Sequence, residues 1–237
     1  MSELTFRINQ FQQKIRQLEV RYARELDSVQ LLAVSKRHST ETIRQAANAG
    51  LEHFGENYLQ EALDKMNVLT DLSLQWHFIG PIQSNKTRGI AEHFDWVHSI
   101  DRKKVAQRLD QQRPQGLPPL NVCVQINLSE ESSKSGVHLP EAAVLCQYLQ
   151  ALPNLRLRGL MAIPEPLSRL CDQRESFNQL ARLFQQLQQT HTDMDTLSMG
   201  MSNDFEAAIA EGSTLIRIGT ALFGLREPAS TSVQNHR

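Results

Sequence analysis

Cysteine is scarce in this 237-residue chain. The three that occur, Cys123, Cys146 and Cys171, are far apart and form no C-x-x-C pair. A disulfide scaffold and a zinc-ribbon site are therefore excluded, and a reduced, cytoplasmic setting without a bound metal is expected. Aromatic residues make up only 6% of the chain, too little for a base-stacking surface. Neither sign of charge dominates, with 25 Lys and Arg against 26 Asp and Glu. Without a basic excess there is no electrostatic footprint for nucleic acid or for an anionic membrane. No apolar run approaches the ~20 residues of a membrane span. The opening segment mixes charged with apolar residues and lacks the apolar centre of a signal peptide. The first β-rich run is not followed by G-x-G-x-x-G, so the usual dinucleotide fingerprint is missing as well.

What the chain does have is a repeated alternation. An amphipathic opening helix carries Phe6, Ile8, Phe11, Ile15 and Leu18 at helical spacing. Short β-rich runs then alternate with helical ones. Strands are predicted over 29–36, 53–57, 74–80, 96–101, 120–128, 155–163, 196–201 and 214–219. Helices are predicted over 39–49, 58–69, 86–93, 102–112, 139–152, 172–189 and 205–211. Eight strands separated by helices read as an α/β fold, a single (β/α)₈ TIM barrel with an extra N-terminal helix. A doubly wound open sheet is the second choice. One domain is expected over 1–237, with the opening helix within about 1–26 and a polar, frayed tail over about 226–237.

In such a barrel the chemistry sits at the C-terminal ends of the strands. The first strand ends in Lys36. Burial at that position disfavours the charged amine and makes it nucleophilic, as imine formation requires. At the far end of the chain, Gly200 and Ser202 precede one helical run, and Gly219 and Thr220 precede another. Ser202-Asn203-Asp204 ahead of Glu206 resembles a capping box, so an ordinary helix cap is the alternative reading of Ser202. Helix starts with free amides and close-approaching glycines can hold an anion, and barrels often bind phosphate after the seventh and eighth strands. An imine-forming lysine and a phosphate cradle on one rim suggest pyridoxal 5′-phosphate. Arg217 lies two residues before Gly219 and so faces the same side of its strand. It suits the cofactor's pyridine nitrogen, with a salt bridge to a carboxylate such as Glu56 as the alternative.

At this point the chain resembles the pyridoxal phosphate homeostasis protein family, also called the proline synthase co-transcribed homologues, built on the alanine racemase N-terminal barrel. The matching segments are Ala33-Val34-Ser35-Lys36, Phe54-Gly55-Glu56-Asn57-Tyr58, Trp76-His77-Phe78-Ile79-Gly80 and Gln83-Ser84-Asn85-Lys86. Further along they are Lys134-Ser135-Gly136, Gly159-Leu160-Met161, Leu197-Ser198-Met199-Gly200-Met201-Ser202 and Arg217-Ile218-Gly219-Thr220. The resemblance implies that Lys36 holds the cofactor as an imine and that Ser202, Gly219 and Thr220 contact its phosphate. It places Arg217 at the pyridine nitrogen, Asn57, His77 and Met161 around the ring, and Ser198 near the phosphate side. Lys86 and Lys134 fall at the mouth.

The implied function is cofactor homeostasis: buffering, protecting or delivering pyridoxal phosphate, with no catalytic residue assigned. Apo-enzymes that use the cofactor are the implied recipients, and a monomer is expected. An amino-acid racemase is the alternative. It needs a second acid/base on the opposite face of the substrate, and only Tyr58 among the three tyrosines falls on the rim. A barrel aldolase that uses Lys36 directly on its substrate is a further alternative.

Overall fold

The computed structural model describes residues 2–129 and 135–224. Lys134 and the predicted tail over about 226–237 lie outside them. After the helix α1 (Glu3–Arg21) come β1 (Gln30–Val34), α2 (Thr40–Asn48), β2 (His53–Glu56), α3 (Leu59–Val68), β3 (Gln75–Phe78), α4 (Thr87–His93), β4 (Trp96–Ile100) and α5 (Lys103–Gln112). The second half contains β5 (Leu120–Asn127), β6 (Val137–His138), α6 (Ala142–Gln150), β7 (Leu155–Ala162), α7 (Leu170–Gln188), β8 (Thr196–Ser198), α8 (Phe205–Ala210), β9 (Leu215–Ile218) and α9 (Thr220–Phe223).

All strand pairs are parallel. The order runs β4-β3-β2-β1-β9-β8-β7-β5, and β4 pairs with β5, which closes the ring. Closure leaves the eight strands of this ring without a free edge, so the open doubly wound sheet is ruled out and the expected (β/α)₈ barrel is the fold.

Side-chain alternation sorts the strands into two faces. Ala33, Phe54, Trp76, Val97, Val122, Leu160, Leu197 and Ile218 join the large apolar core between the sheet and the helices. Their neighbours point into the barrel, where Trp96, Cys123 and Met161 form a separate small cluster. On β1, Leu32 and Val34 are buried but outside the sheet–helix core, and Lys36 follows in the turn two residues beyond Val34. The interior also takes His77, His98, Ser198 and Arg217, all buried. The barrel is thus apolar outside its sheet and largely polar within.

Helix α1 buries Leu4, Ile8, Ile15 and Leu18 along one face and packs on α2, α8 and α9. Its buried Glu19 accepts the Val29 N–H at 2.9 Å and the Asp27 N–H at 3.0 Å, fixing the loop that enters β1. Strand β6 is the element that periodicity could not find, because two residues carry no period. It pairs with Ile126 and Asn127 of β5, continuing the ladder where β4 ends. Gly136, at φ +119°, allows this approach, since a Cβ there would lie 2.7 Å from the Asn127 amide nitrogen.

Candidate cofactor site

Lys36 follows β1 at the C-terminal rim and is partly buried. Its chain neighbours are held from behind by α3. Ser35 Oγ donates to Glu56 Oε1 at 2.6 Å, and Lys65 Nζ donates to the Ser35 carbonyl at 2.8 Å. Lys65 also reaches Glu56 and Glu61, each at 2.7 Å. Arg37, in the left-handed region at φ +63°, donates its N–H to the Glu61 carboxylate. The two residues flanking Lys36 are thereby fixed. Burial pushes the Glu56 carboxyl above its ordinary range, with Lys65 opposing the shift.

The adjacent strand end carries the anion-binding candidates. Gly219 packs against β1, and a Cβ there would meet the Val34 carbonyl at 3.4 Å, two residues before Lys36. Thr220 then opens α9. The Leu222 and Phe223 N–H groups both turn to the Gly219 carbonyl at 2.9 Å, which leaves the first amides of the turn ahead of the ladder. One strand further on, Gly200 takes φ +97°, and a Cβ would come within 2.6 Å of the Ala208 Cβ. The Met201 N–H donates to Asp204 Oδ1 at 2.5 Å, folding Ser202 and Asn203 into the bend ahead of α8. Ser202 is therefore not the helix cap. Nor does Glu206 close a capping box, because its carboxylate takes Arg21 at 2.8 Å and the Tyr22 hydroxyl at 3.1 Å.

Arg217 is buried and, among the described residues, reaches no carboxylate through a hydrogen bond; Glu56 belongs to Lys65. Its Nη1 donates to the Ser198 carbonyl at 2.7 Å and to Ser198 Oγ at 2.9 Å, and its Nη2 donates to the Ala162 carbonyl at 2.9 Å. Those three bonds use three of the five guanidinium N–H groups and leave Nε–H and one Nη2–H for a further acceptor. Burial pulls its pKa down to about 10, against the attraction of Asp204. It remains a cation at neutral pH.

Behind Arg217, Ser198 Oγ lies 2.9 Å from His98 Nδ1. His98 Nε2 is 2.9 Å from His77 Nδ1, and His77 Nε2 is 2.9 Å from His53 Nδ1. His77 therefore sits below the rim, with its ring stacked on Trp96 at 5.3 Å. Burial, then the nearby Arg217, lowers His98 to about 3. Burial also holds His77 well below its ordinary value, so neither ring is a cation.

The remaining predicted residues surround the same space. Asn57 directly follows β2, and its Oδ1 is buried with no hydrogen-bond partner among the described residues. Such an orphan acceptor on the rim suits a polar ligand. Met161 is buried inside the barrel beside Ala162, whose carbonyl anchors Arg217. Lys86 is exposed on the turn before α4. Tyr58 is 49% exposed, with the Arg37 guanidinium 5.9 Å from its ring centre. Among the described residues, no group of three metal-ligating side chains converges, and no helix is long and apolar enough to cross a membrane.

A partly buried lysine and two amide-rich turns thus share one rim with an amide oxygen and an arginine whose polar atoms are not all partnered among the described residues. The histidine chain and the Glu56–Lys65 pair were not legible as site features in the sequence. Their only signal was a histidine in each of three successive strand candidates and a Glu-x-x-x-Lys spacing in the third helix.

Comparison with known proteins places this arrangement. The alanine racemase N-terminal domain family model matches residues 7–227. The pyridoxal phosphate homeostasis protein of Pseudomonas aeruginosa is 56% identical over 233 residues, covering 97% of this chain and 100% of that protein. That of Escherichia coli K12 is 50% identical over 230 residues, covering 96% and 98%. Among solved structures, PipY of Synechococcus elongatus, determined with PLP bound, superposes with a TM-score of 0.81 at 38% identity, covering 94% of this chain and 100% of PipY. Alanine racemase of Corynebacterium glutamicum, at 17% identity and a TM-score of 0.68 over 95% of this chain and 62% of its own, shares the fold.

Proposed function

The chain belongs to the pyridoxal phosphate homeostasis protein family, on the alanine racemase N-terminal barrel, and we propose from this that it binds pyridoxal 5′-phosphate to hold and hand over the cofactor rather than to transform amino acids. The observation that carries the reading is Lys36 just after β1, which pairs with the strand leading into Gly219 and Thr220, with Arg217 bonded to Ser198 one layer below. Bound pyridoxal phosphate supplies an aldehyde that condenses with an amine and a ring that withdraws electrons.

Each residue then has a role. Lys36 is the amine that takes the aldehyde, kept in place by the clamp on Ser35 and Arg37. Ser202, Gly219 and Thr220 hold the phosphate through amides and hydroxyls. Asn57 offers its unsatisfied oxygen, and Met161 packs beside the ring. Ser198 anchors Arg217, which presents N–H groups to the ring nitrogen. His77 supports this layer from beneath, with both ring nitrogens engaged by His53 and His98, instead of lining the ring.

Two features support storage over turnover. Arg217 remains protonated, so it donates to the ring nitrogen and keeps a proton off it, which weakens electron withdrawal. Among the described residues the rim also supplies no proton carrier opposite Lys36: Tyr58 is exposed beside Arg37, and His77 is engaged at both nitrogens. The recipients are apo-enzymes that use the same cofactor, and the carrier works as a cytoplasmic monomer.

The test is to incubate the loaded protein with L- and D-amino acids in deuterium oxide, following deuterium uptake and chirality. In parallel, transfer of cofactor to an apo-enzyme is measured. Transfer without racemisation is the expected result. Steady racemisation at ordinary enzyme rates, about 1–10³ s⁻¹, would replace the carrier reading with a racemase.

A further inference from the structure

Three histidines climb the inside of the barrel. His53 opens β2, and His77 and His98 each stand third in β3 and β4. The register sets Gly55 beside His77, and His77 beside Trp96. Each histidine is therefore two residues further up its strand than the one before. Two residues restore the inward direction, so all three rings enter the barrel as a staircase from its N-terminal face toward the rim.

The hydrogen-bond donors along this staircase can be assigned from its upper end. Arg217 can only donate, so Ser198 Oγ accepts from Nη1 at 2.9 Å. Ser198 is fully buried, and its single hydroxyl hydrogen has His98 Nδ1 as acceptor at 2.9 Å. If His98 Nδ1 carried the proton instead, Ser198 would accept twice and its own O–H would be left buried without an acceptor, which is disfavoured. With Nδ1 accepting, neutral His98 carries its proton on Nε2 and donates to His77 Nδ1. His77 then carries its proton on Nε2 and donates to His53 Nδ1.

We propose that Arg217, Ser198, His98, His77 and His53 form one directed hydrogen-bond relay, in which each imidazole is the Nε2–H tautomer and His98 and His77 are positioning residues for Arg217. The relay keeps the Ser198 hydroxyl turned away from the guanidinium, so its lone pair stays available to Nη1. Without the His98 acceptor that hydroxyl rotates, Nη1 loses one of its two anchors, and the N–H groups assigned to the ring nitrogen lose their aim. The claim about Arg217 rests on the proposed cofactor placement; the direction of the relay does not.

The experiment has two arms. In the first, the full chain without added ligand, labelled with ¹⁵N-histidine, is examined by long-range ¹H–¹⁵N spectroscopy. His77 and His98 are expected to show a protonated Nε2 and a bare Nδ1. Ser198→Ala removes the donor that sets the direction and is expected to shift both rings toward mixed tautomers. A protonated Nδ1 on His98 in the unsubstituted chain would overturn the relay.

In the second arm, pyridoxal phosphate is titrated into His98→Phe and His98→Gln and the visible spectrum is recorded. The phenylalanine variant is expected to bind about tenfold more weakly, the equivalent of one buried hydrogen bond, with a displaced absorption maximum. Glutamine can accept from Ser198 and donate to His77, and should restore both. Unchanged binding and colour in His98→Phe would overturn the positioning role, and Ser198→Ala gives the same reading should that variant fail to fold. Failure of the unsubstituted protein to bind the cofactor at all would overturn the proposed function, while the first arm would still decide the direction of the relay.

Discussion

Lys65 Nζ lies 2.7 Å from Glu56 Oε1, and both groups are buried behind the strand end that carries Lys36. The amine also holds Glu61 and the Ser35 carbonyl. Lys65→Met would leave the Glu56 carboxylate buried without its cation. A loss of about 3–5 kcal/mol in unfolding free energy is expected, as for a broken buried ion pair. The double variant Glu56→Gln/Lys65→Met should recover part of that loss. Urea denaturation of the singles and the double measures it; additive losses would show that the two groups do not interact.

Attachment of the cofactor can be read directly. Borohydride treatment of the loaded protein is expected to fix a pyridoxyl mass on the peptide that contains Lys36. In Lys36→Ala the adduct should vanish from that peptide, while weaker reversible binding persists through the phosphate turns. An undiminished adduct elsewhere in Lys36→Ala would move the attachment to another lysine.

Recognition of the phosphate should be separable from recognition of the ring. Ser202→Ala and Thr220→Val are each expected to weaken pyridoxal phosphate binding by about 1–3 kcal/mol, the range for a charge-assisted hydrogen bond. Pyridoxal lacks the phosphate and should be nearly indifferent to both substitutions. Calorimetric titration with the two ligands checks this, and equal affinities for them would remove the proposed anion site.

Stability should fall on the acid side through the buried histidines. His98 is lowered to about 3 by burial and by Arg217, whereas an unfolded histidine titrates at about 6.5. Between those values the unfolded chain binds a proton that the folded chain refuses, so stability rises with pH across that window. The contribution is complete above the unfolded value and is lost as pH falls toward 3. Each pH unit in the window is worth about 1.4 kcal/mol per group. His98→Gln should flatten this slope relative to the unsubstituted chain, as measured by the pH dependence of denaturation midpoints.

Apart from β6, the order of strands was legible in the sequence because the strands and the helices between them have different periods, and the predicted strand ends lie within a few residues of the observed ones. Lys36, Gly219 and Arg217 were legible because barrel chemistry collects where strands end. What the sequence could not supply is register. His53, His77 and His98 are 24 and 21 residues apart, and only the stagger of three strands makes them touch. The same limit hid Glu56 and Lys65, since nothing in a Glu-x-x-x-Lys spacing tells that a strand end packs beneath it. Ser202 looked like a helix cap because its residue type suits one; Asp204 holds the cap position and turns its side chain back to Met201.

The pairing of β1 with β9 joins residues nearly two hundred positions apart, and α1 spans the same junction, with Arg21 bonded to Glu206 across 185 positions. In kinetic terms this seam is the most expensive contact of the ring, because the loop that must close before it forms is the longest in the chain. Lys36 stands on one lip of the seam, with Gly219 and Thr220 on the other. A molecule bonded to the first and gripped by the second fastens the junction, so the empty barrel is expected to open there first. Hydrogen exchange at the amides of β1 and β9 would then serve as a gauge of loading.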